Sequence, residues 1–528
     1  MIRGKNYIGN TLSSEGSKTF TTFNPKLNKE NSWVFYEATD NEINEALALA
    51  EEAFKIYKNT SGKSRANFIE KIADEIEALG DELIAVYCQE TGLPEGRAKG
   101  ERARTIGQLR SFANLIAEES WAEPTIDTGL PDREPMPKPD LRKMMVPLGP
   151  IAVFGASNFP LAYSTAGGDT ASALASGCPV IVKSHPLHAG TGELVSRAIL
   201  KAAKEAGMPN GVFSNLNSSG IALGEKLVRH PKIKAIGFTG SINGGRALYN
   251  MAAEREEPIP VFAEMGSINP VILLPKALKQ NKKNWAKTYA NSIVLGAGQF
   301  CTNPGLLFGL KSPELDNFIE ELGHEILKIE PFCMLNPKIK QNYIQNNTIV
   351  SEQEGVQKVV NGKIAEANYA SHTITTVSGK EFIANKRLQT EVFGPFSMVV
   401  QCKDKIELES TIASIEGQLT GTIISEENEA LNYTATIDIL KSKVGRLIFN
   451  GVPTGVEVCA AMQHGGPYPA STDSRFGAVG INAIKRWVRP VSFQDWPNEL
   501  LPNELKDENP LKITRIVNGD FSKDIIKR

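Results

Sequence analysis

Ile151-Ala152-Val153-Phe154-Gly155-Ala156-Ser157-Asn158-Phe159-Pro160 is the run from which the fold is read. Four consecutive apolar residues have the length of a buried strand, the glycine turns the chain, and Pro160 suits the first turn of a helix. The same alternation recurs downstream. Val180-Ile181-Val182, Val212-Phe213, Ala235-Ile236-Gly237-Phe238 and Pro270-Val271-Ile272-Leu273-Leu274 read as buried strands, with helices over 161–176, 190–206, 219–229 and 243–255. Such alternation places the chain in the α/β class, with a parallel, doubly wound sheet whose ligands bind beyond the carboxyl ends of the strands.

Upstream of that run, 41–57, 63–90 and about 98–119 carry apolar residues at helical spacing, and Pro124, Pro131, Pro135, Pro137 and Pro139 mark an excursion from a compact domain. Downstream, 280–480 repeats the alternation less regularly and predicts a second α/β domain; Ile448-Phe449-Asn450-Gly451 reads as a strand ending at a glycine turn. The stretch Trp487–Pro497 mixes tryptophan with proline and predicts an ordered, docked tail that can serve as a subunit contact. A length of 528 residues predicts two or three domains.

A net charge of -2 gives no electrostatic reason to expect nucleic acid or an anionic membrane as partner. Cys88, Cys178, Cys301, Cys333, Cys402 and Cys459 are scattered, which argues against a disulfide framework or zinc site and fits a reducing cytoplasm. The six histidines show no metal-ligand spacing, so no metal is expected. The polar N-terminus does not resemble a signal peptide, and no apolar run is long enough to span a bilayer.

Three residues carry the candidate chemistry. Cys301 lies in Gly298-Gln299-Phe300-Cys301-Thr302-Asn303, flanked by Gly296 and Asn303-Pro304-Gly305. A thiolate there could attack an aldehyde, and the thiohemiacetal could then release hydride to a nicotinamide. The competing account is a buried apolar cysteine. Glu264 follows the predicted strand Pro260–Ala263 and precedes Met265-Gly266-Ser267-Ile268-Asn269-Pro270; it can activate water against a thioester, or be a surface carboxylate. Asn158 can donate to an oxyanion together with the Cys301 N–H, or simply cap a helix.

Lys183 closes one strand, where ribose and phosphate would lie, and Phe238-Thr239-Gly240-Ser241 closes another and opens a helix whose N–H groups suit a pyrophosphate. Gly220 and Gly224 would allow close approach. No Gly-x-Gly-x-x-Gly run follows any strand.

Taken together, these segments resemble the aldehyde dehydrogenase superfamily over roughly 20–490; Val180–Lys183 and Glu391-Val392-Phe393-Gly394-Pro395 complete the ordered set. The resemblance implies an aldehyde dehydrogenase fold of two doubly wound α/β domains plus a small oligomerisation element. The expected parts are 1–135 with 150–275 for the dinucleotide, 276–480 for catalysis, and 136–149 with 481–528 for assembly. It implies Cys301 as nucleophile, Glu264 as base and Asn158 as oxyanion donor. Lys183, Ser184, Pro186, Gly220, Gly224, Thr239, Gly240 and Ser241 would hold the adenosine and phosphates, while Glu391 and Phe393 would position the nicotinamide ribose and ring.

Val182–Pro186, Gly100–Arg110, Pro453–Val458 and His464–Arg475 resemble the branch of α-ketoglutaric semialdehyde (2,5-dioxovalerate) dehydrogenases, which also contains an NADP-dependent fatty aldehyde dehydrogenase. NAD-preferring relatives often carry glutamate three residues after the lysine, where this chain has Pro186. NADP is therefore the expected cofactor, with NAD possible. Arg104, on the helix expected to line the substrate entrance, and Phe159 are the substrate candidates; the alternative for Arg104 is a solvated helix charge. The resemblance implies oxidation of 2,5-dioxopentanoate to 2-oxoglutarate in sugar acid degradation, by a cytoplasmic homodimer or homotetramer. A fatty or general aldehyde dehydrogenase is the alternative, and a catalytically silent relative is the reading from another class.

Overall fold

The computed structural model describes residues 2–362 and 367–527. Its first sheet has seven strands in the order Val261–Glu264, Ala235–Thr239, Ile151–Phe154, Val180–Lys183, Phe213–Leu216, Asn6–Ile8 and Thr11–Ser13. The first five are parallel. The two N-terminal strands extend the edge antiparallel. Residues 151, 153, 180, 182 and 213 face one apolar layer, and 152, 154, 181 and 216 the other. Burial on both faces explains why these strands read as unbroken apolar runs.

Register aligns the strand ends. Phe154 pairs with Lys183 and with Phe238, Lys183 with Leu216, and Thr239 with Glu264. The segments carrying Asn158, Lys183, Gly240 and Glu264 therefore leave the sheet along one edge. The strand order reverses between Ile151–Phe154 and Ala235–Thr239, and a crevice opens at such a switch point.

The second sheet runs Gln357–Asn361, Thr373–Ser378, Phe396–Cys402, Leu306–Leu310, Pro270–Leu273, Gln418–Ile424 and Val444–Phe449. Pro270–Leu273 was expected in the first sheet and instead pairs parallel with Leu306–Leu310 and Gln418–Ile424. Its apolar character suits either interior, and only the path of the intervening loop, pinned at Asn269, sends it to the second.

A third sheet joins Val488–Gln494, Leu141–Pro147, Thr125–Asp127, Arg515–Val517 and Asp520–Ser522. Trp487, just before its first strand, is fully buried; its indole N–H donates to Ser172 Oγ at 2.7 Å and its ring meets Phe262 edge-on.

Two helices differ from expectation. The 63–90 stretch is Gly62–Ala78 and Gly80–Thr91, broken where Gly80 turns left-handed at φ +53°. Of 161–176 only Gly168–Ser176 is helical, because the Glu101 carboxylate accepts the Leu161 and Ala162 N–H groups and holds the preceding stretch as a turn. Among the described residues no helix is long and apolar enough to cross a membrane.

Candidate active site

The helix Pro275–Val294 ends in a turn where Gly296, Ala297 and Gly298 have φ of +56°, +59° and +66°. A side chain at Gly298 would place its Cβ 2.2 Å from the Gly394 carbonyl oxygen, so glycine is required there. This turn delivers Cys301. Asn269, itself at φ +48°, donates its Nδ2 hydrogens to the carbonyls of Cys301 (2.8 Å) and Asn303 (2.9 Å) and fixes the segment.

Asn158 follows Ile151–Phe154 but caps no helix; its amide donates to the Gln299 carbonyl at 2.9 Å, two residues before Cys301. Glu264 ends its strand buried, and among the described residues its Oε2 has no hydrogen-bond partner. Burial raises its pKa to about 8, against the lowering field of Arg486 and with a smaller contribution from Asp169. Arg486 and Asp169 form an ion pair at 2.7 Å. Burial, with the charges of Glu264 and Glu391, pushes the Cys301 thiol up to about 12. Its sulfur lies 3.8 Å from His464 Nε2, and burial together with Arg104 and Arg446 depresses that imidazole to about 3, so it is neutral.

Cys301 sits where two cavities meet. One, of about 260 Å³, is lined by Asn158, Thr239, Gly240, Ser241, Glu264, Glu391, Phe393 and His464. The other, of about 340 Å³, is lined by Arg97, Gly100, Arg104, Phe300, Gly455 and Val456; Phe159 and Tyr163 border both. A thiol thus faces, at the sheet's switch point, a largely apolar chamber into which Asn158, Glu264 and Glu391 bring polar groups and, on its other side, a chamber walled by aromatic rings and arginines. Residues 12–487 match the sequence profile of the aldehyde dehydrogenase family. The chain belongs to the aldehyde dehydrogenase family.

Relatives of this aldehyde dehydrogenase include "Alpha-ketoglutaric semialdehyde dehydrogenase 2" of Azospirillum brasilense, 44% identical over 520 residues that cover 98% of this chain and 99% of the relative. "Alpha-ketoglutaric semialdehyde dehydrogenase" of Acinetobacter baylyi is 44% identical over 518 residues, 98% of each chain. In fold it resembles methylmalonate-semialdehyde dehydrogenase from Oceanimonas doudoroffii, with a TM-score of 0.80 at 20% identity, over 94% of this chain and 99% of that one. The NAD-bound 1-pyrroline-5-carboxylate dehydrogenase from Thermus superposes with a TM-score of 0.78 at 22% identity, over 93% and 92%.

The dehydrogenase's fold brings most of the sequence candidates together. Cys301, Glu264, Asn158, Thr239, Gly240, Ser241, Glu391 and Phe393 share the first cavity, while Arg104 and Phe159 line the second. Arg104 is not a solvated charge: its Nε donates to the Val456 carbonyl at 3.4 Å and its Nη2 to the Tyr163 hydroxyl at 3.1 Å. Lys183, Ser184, Pro186, Gly220 and Gly224 lie beyond the lining of both cavities. Lys183 Nζ donates to the Ser218 carbonyl at 3.0 Å, and burial lowers its pKa to about 8. Ser184 is fully buried, and the close approach at Gly224 is to the Phe154 ring, 3.1 Å from a hypothetical Cβ. Gly220 faces open space.

His464, Asn269, Arg97 and Tyr163 were given no role by the sequence reading. His464 and Asn269 stood inside quoted motifs, which was a usable signal. Arg97 and Tyr163 stood out in no way; Arg97 reveals itself only by lying over the Phe159 and Phe300 rings, 4.2 and 4.7 Å from their centroids.

Proposed function

We propose that this aldehyde dehydrogenase oxidises 2,5-dioxopentanoate to 2-oxoglutarate with a nicotinamide cofactor, through a thioester on Cys301. The observation that carries the reading is the position of Cys301 at the junction of the two cavities, with Glu264 and Asn158 on one side and Arg104 on the other. The two relatives at 44% identity, named for this semialdehyde, support the choice of substrate.

As the sulfur bonds to the aldehyde carbon, its proton passes to the deprotonated Glu264 carboxylate in the same cavity and on to solvent, and the carbonyl oxygen becomes an oxyanion, which Asn158 Nδ2 and the Cys301 N–H would receive. A bound nicotinamide would supply the hydride acceptor, the hydride coming from the thiohemiacetal carbon as the oxyanion re-forms the carbonyl of the Cys301 thioester. Glu264, deprotonated, then takes a proton from the water that attacks the thioester, and Cys301 leaves as thiolate.

The first cavity fits such a cofactor. Thr239–Ser241 lead into the N-terminus of the helix Ile242–Ala253, where the Ser241 hydroxyl caps the Gly244 N–H and the Ile242 and Asn243 N–H groups are left to suit a pyrophosphate. Glu391 is half-buried, desolvation raises its pKa to about 7, and among the described residues its carboxylate accepts only the Ser267 N–H, at 3.3 Å, which leaves it acceptor capacity for a ribose hydroxyl. Lys183, Ser184, Pro186, Gly220 and Gly224 would hold the adenosine end, and Phe393 the nicotinamide ring. With proline and not glutamate at 186, NADP is accepted. Arg104 takes the substrate carboxylate and Phe159 forms a wall of its channel.

We assign the first sheet and its helices to the dinucleotide, the second to catalysis, and the third, with 136–149 and 481–528, to assembly as a cytoplasmic homodimer or homotetramer. The expected boundary at 275 moves ahead of Pro270. Replacing Cys301 by Ala tests the core of the proposal. Turnover should vanish while the circular dichroism spectrum and cofactor binding persist; appreciable residual dehydrogenase activity would overturn it.

A further inference from the structure

We propose that Tyr163 is a specificity-determining residue: its phenol O–H donates to the 2-oxo oxygen of the substrate while Arg104 holds the adjacent carboxylate. The proposal rests on the substrate reading above and concerns how the enzyme tells a 2-oxo acid from a plain acid of equal length.

Tyr163 is held rigidly. Its carbonyl accepts the Ala156 N–H at 2.8 Å, and its ring lies edge-on to Phe159 at 5.1 Å and 5.8 Å from the His464 ring. Its hydroxyl oxygen accepts Arg104 Nη2. Among the described residues the O–H itself meets no acceptor, and burial keeps it protonated by raising its pKa to about 12. A buried donor left without an acceptor is costly and is expected where a ligand completes the bond.

Arg104 has the same incompleteness. Among the described residues its buried Nη1 has no hydrogen-bond partner, and no carboxylate lies within ion-pair distance of its guanidinium. The carboxylate on its own helix, Glu101, is already occupied by the Leu161 and Ala162 N–H groups, the Tyr87 hydroxyl and Arg97. A cation and an adjacent O–H donor, both bordering the chamber that Cys301 enters, match a carboxylate bonded directly to a carbonyl. The hydroxyl bound to Arg104 couples the two donors, and the aldehyde carbon, three bonds beyond the 2-oxo carbon, is left to reach the thiol.

The test compares kcat/KM for 2,5-dioxopentanoate, 5-oxopentanoate and pentanal in the native enzyme, Tyr163→Phe and Arg104→Leu. Tyr163→Phe should cut the preference for 2,5-dioxopentanoate over 5-oxopentanoate by about tenfold, the worth of one hydrogen bond in a site built around it. Arg104→Leu should collapse the preference of both acids over pentanal. An unchanged oxo preference in Tyr163→Phe, or an equal fall for all three aldehydes, overturns the proposal. A measurement on the native enzyme alone guards against a misfolded variant: 2-oxoglutarate should inhibit competitively about tenfold more tightly than glutarate, and equal inhibition also overturns it. If the native enzyme turns over pentanal at least as well as either acid, the substrate reading itself fails, which is a separate result.

Discussion

At the scale of single residues, the proposed chemistry would turn on two groups held in the wrong protonation state for reaction. Cys301 is pushed up to about 12 and Glu264 to about 8, both mainly by burial. For Glu264 the direction has a kinetic consequence. Below about 8 the carboxyl carries a proton and cannot accept one from water; above it the base is available. Steady-state turnover limited by thioester hydrolysis should therefore rise as pH increases through about 8. Glu264→Gln should keep the rapid burst of reduced cofactor, slow the steady state by roughly a hundredfold or more, and remove that rise, since an amide cannot accept the proton. Stopped-flow traces between pH 6 and 10 read all three effects, and equal loss of burst and steady state would point to a structural role. The sequence exposes Cys301 and Glu264 because each sits near glycines that interrupt regular structure, Cys301 in a turn and Glu264 at the end of its strand. His464 stays hidden because its proximity to Cys301 spans 163 positions of chain.

At the scale of elements, the proposed cofactor choice would depend on how Val180–Lys183 ends. Lys183 closes that strand and Pro186 follows in the turn before the helix Ala189–Glu205. Pro186→Glu would add a carboxylate that repels a 2′-phosphate, so KM for NADP should rise roughly tenfold while that for NAD holds or falls. Titrating both cofactors against both proteins checks this; strong native discrimination against NADP would contradict the argument. With Lys183 lowered to about 8, its positive charge is present at neutral pH and is lost as pH rises through that value. NADP affinity should weaken over that range and NAD affinity much less, as followed by fluorescence titration. Element reading from sequence succeeded where apolar runs were short and bounded. It failed over 161–176, where the carboxylate of distant Glu101 holds a turn against helical periodicity.

At the scale of the whole molecule, the C-terminal tail is tied to the third sheet through a buried ion pair. Arg142 Nη2 meets the Asp507 carboxylate at 2.6 Å, with the Arg142 side chain 1% exposed, while Asp140 offers a second partner at 2.8 Å. Asp507→Ala leaves that guanidinium half-compensated and should cost about 3 kcal/mol of stability, the lower end for breaking a buried pair. Thermal or denaturant unfolding would register it, and an unchanged midpoint would show that the pair does not anchor the tail. What the sequence alone determined is local: which runs are buried strands, that they alternate with helices, and that Cys301, Glu264 and Asn158 lie in turns or at a strand end beside glycines. These follow from side-chain polarity and backbone freedom within a few residues. Tertiary structure alone decided that Pro270–Leu273 joins the second sheet, that Arg104 turns inward to Tyr163, and that His464 meets the thiol. Each depends on pairing between segments far apart in the chain, where packing and desolvation select one partner among many that local chemistry leaves equivalent.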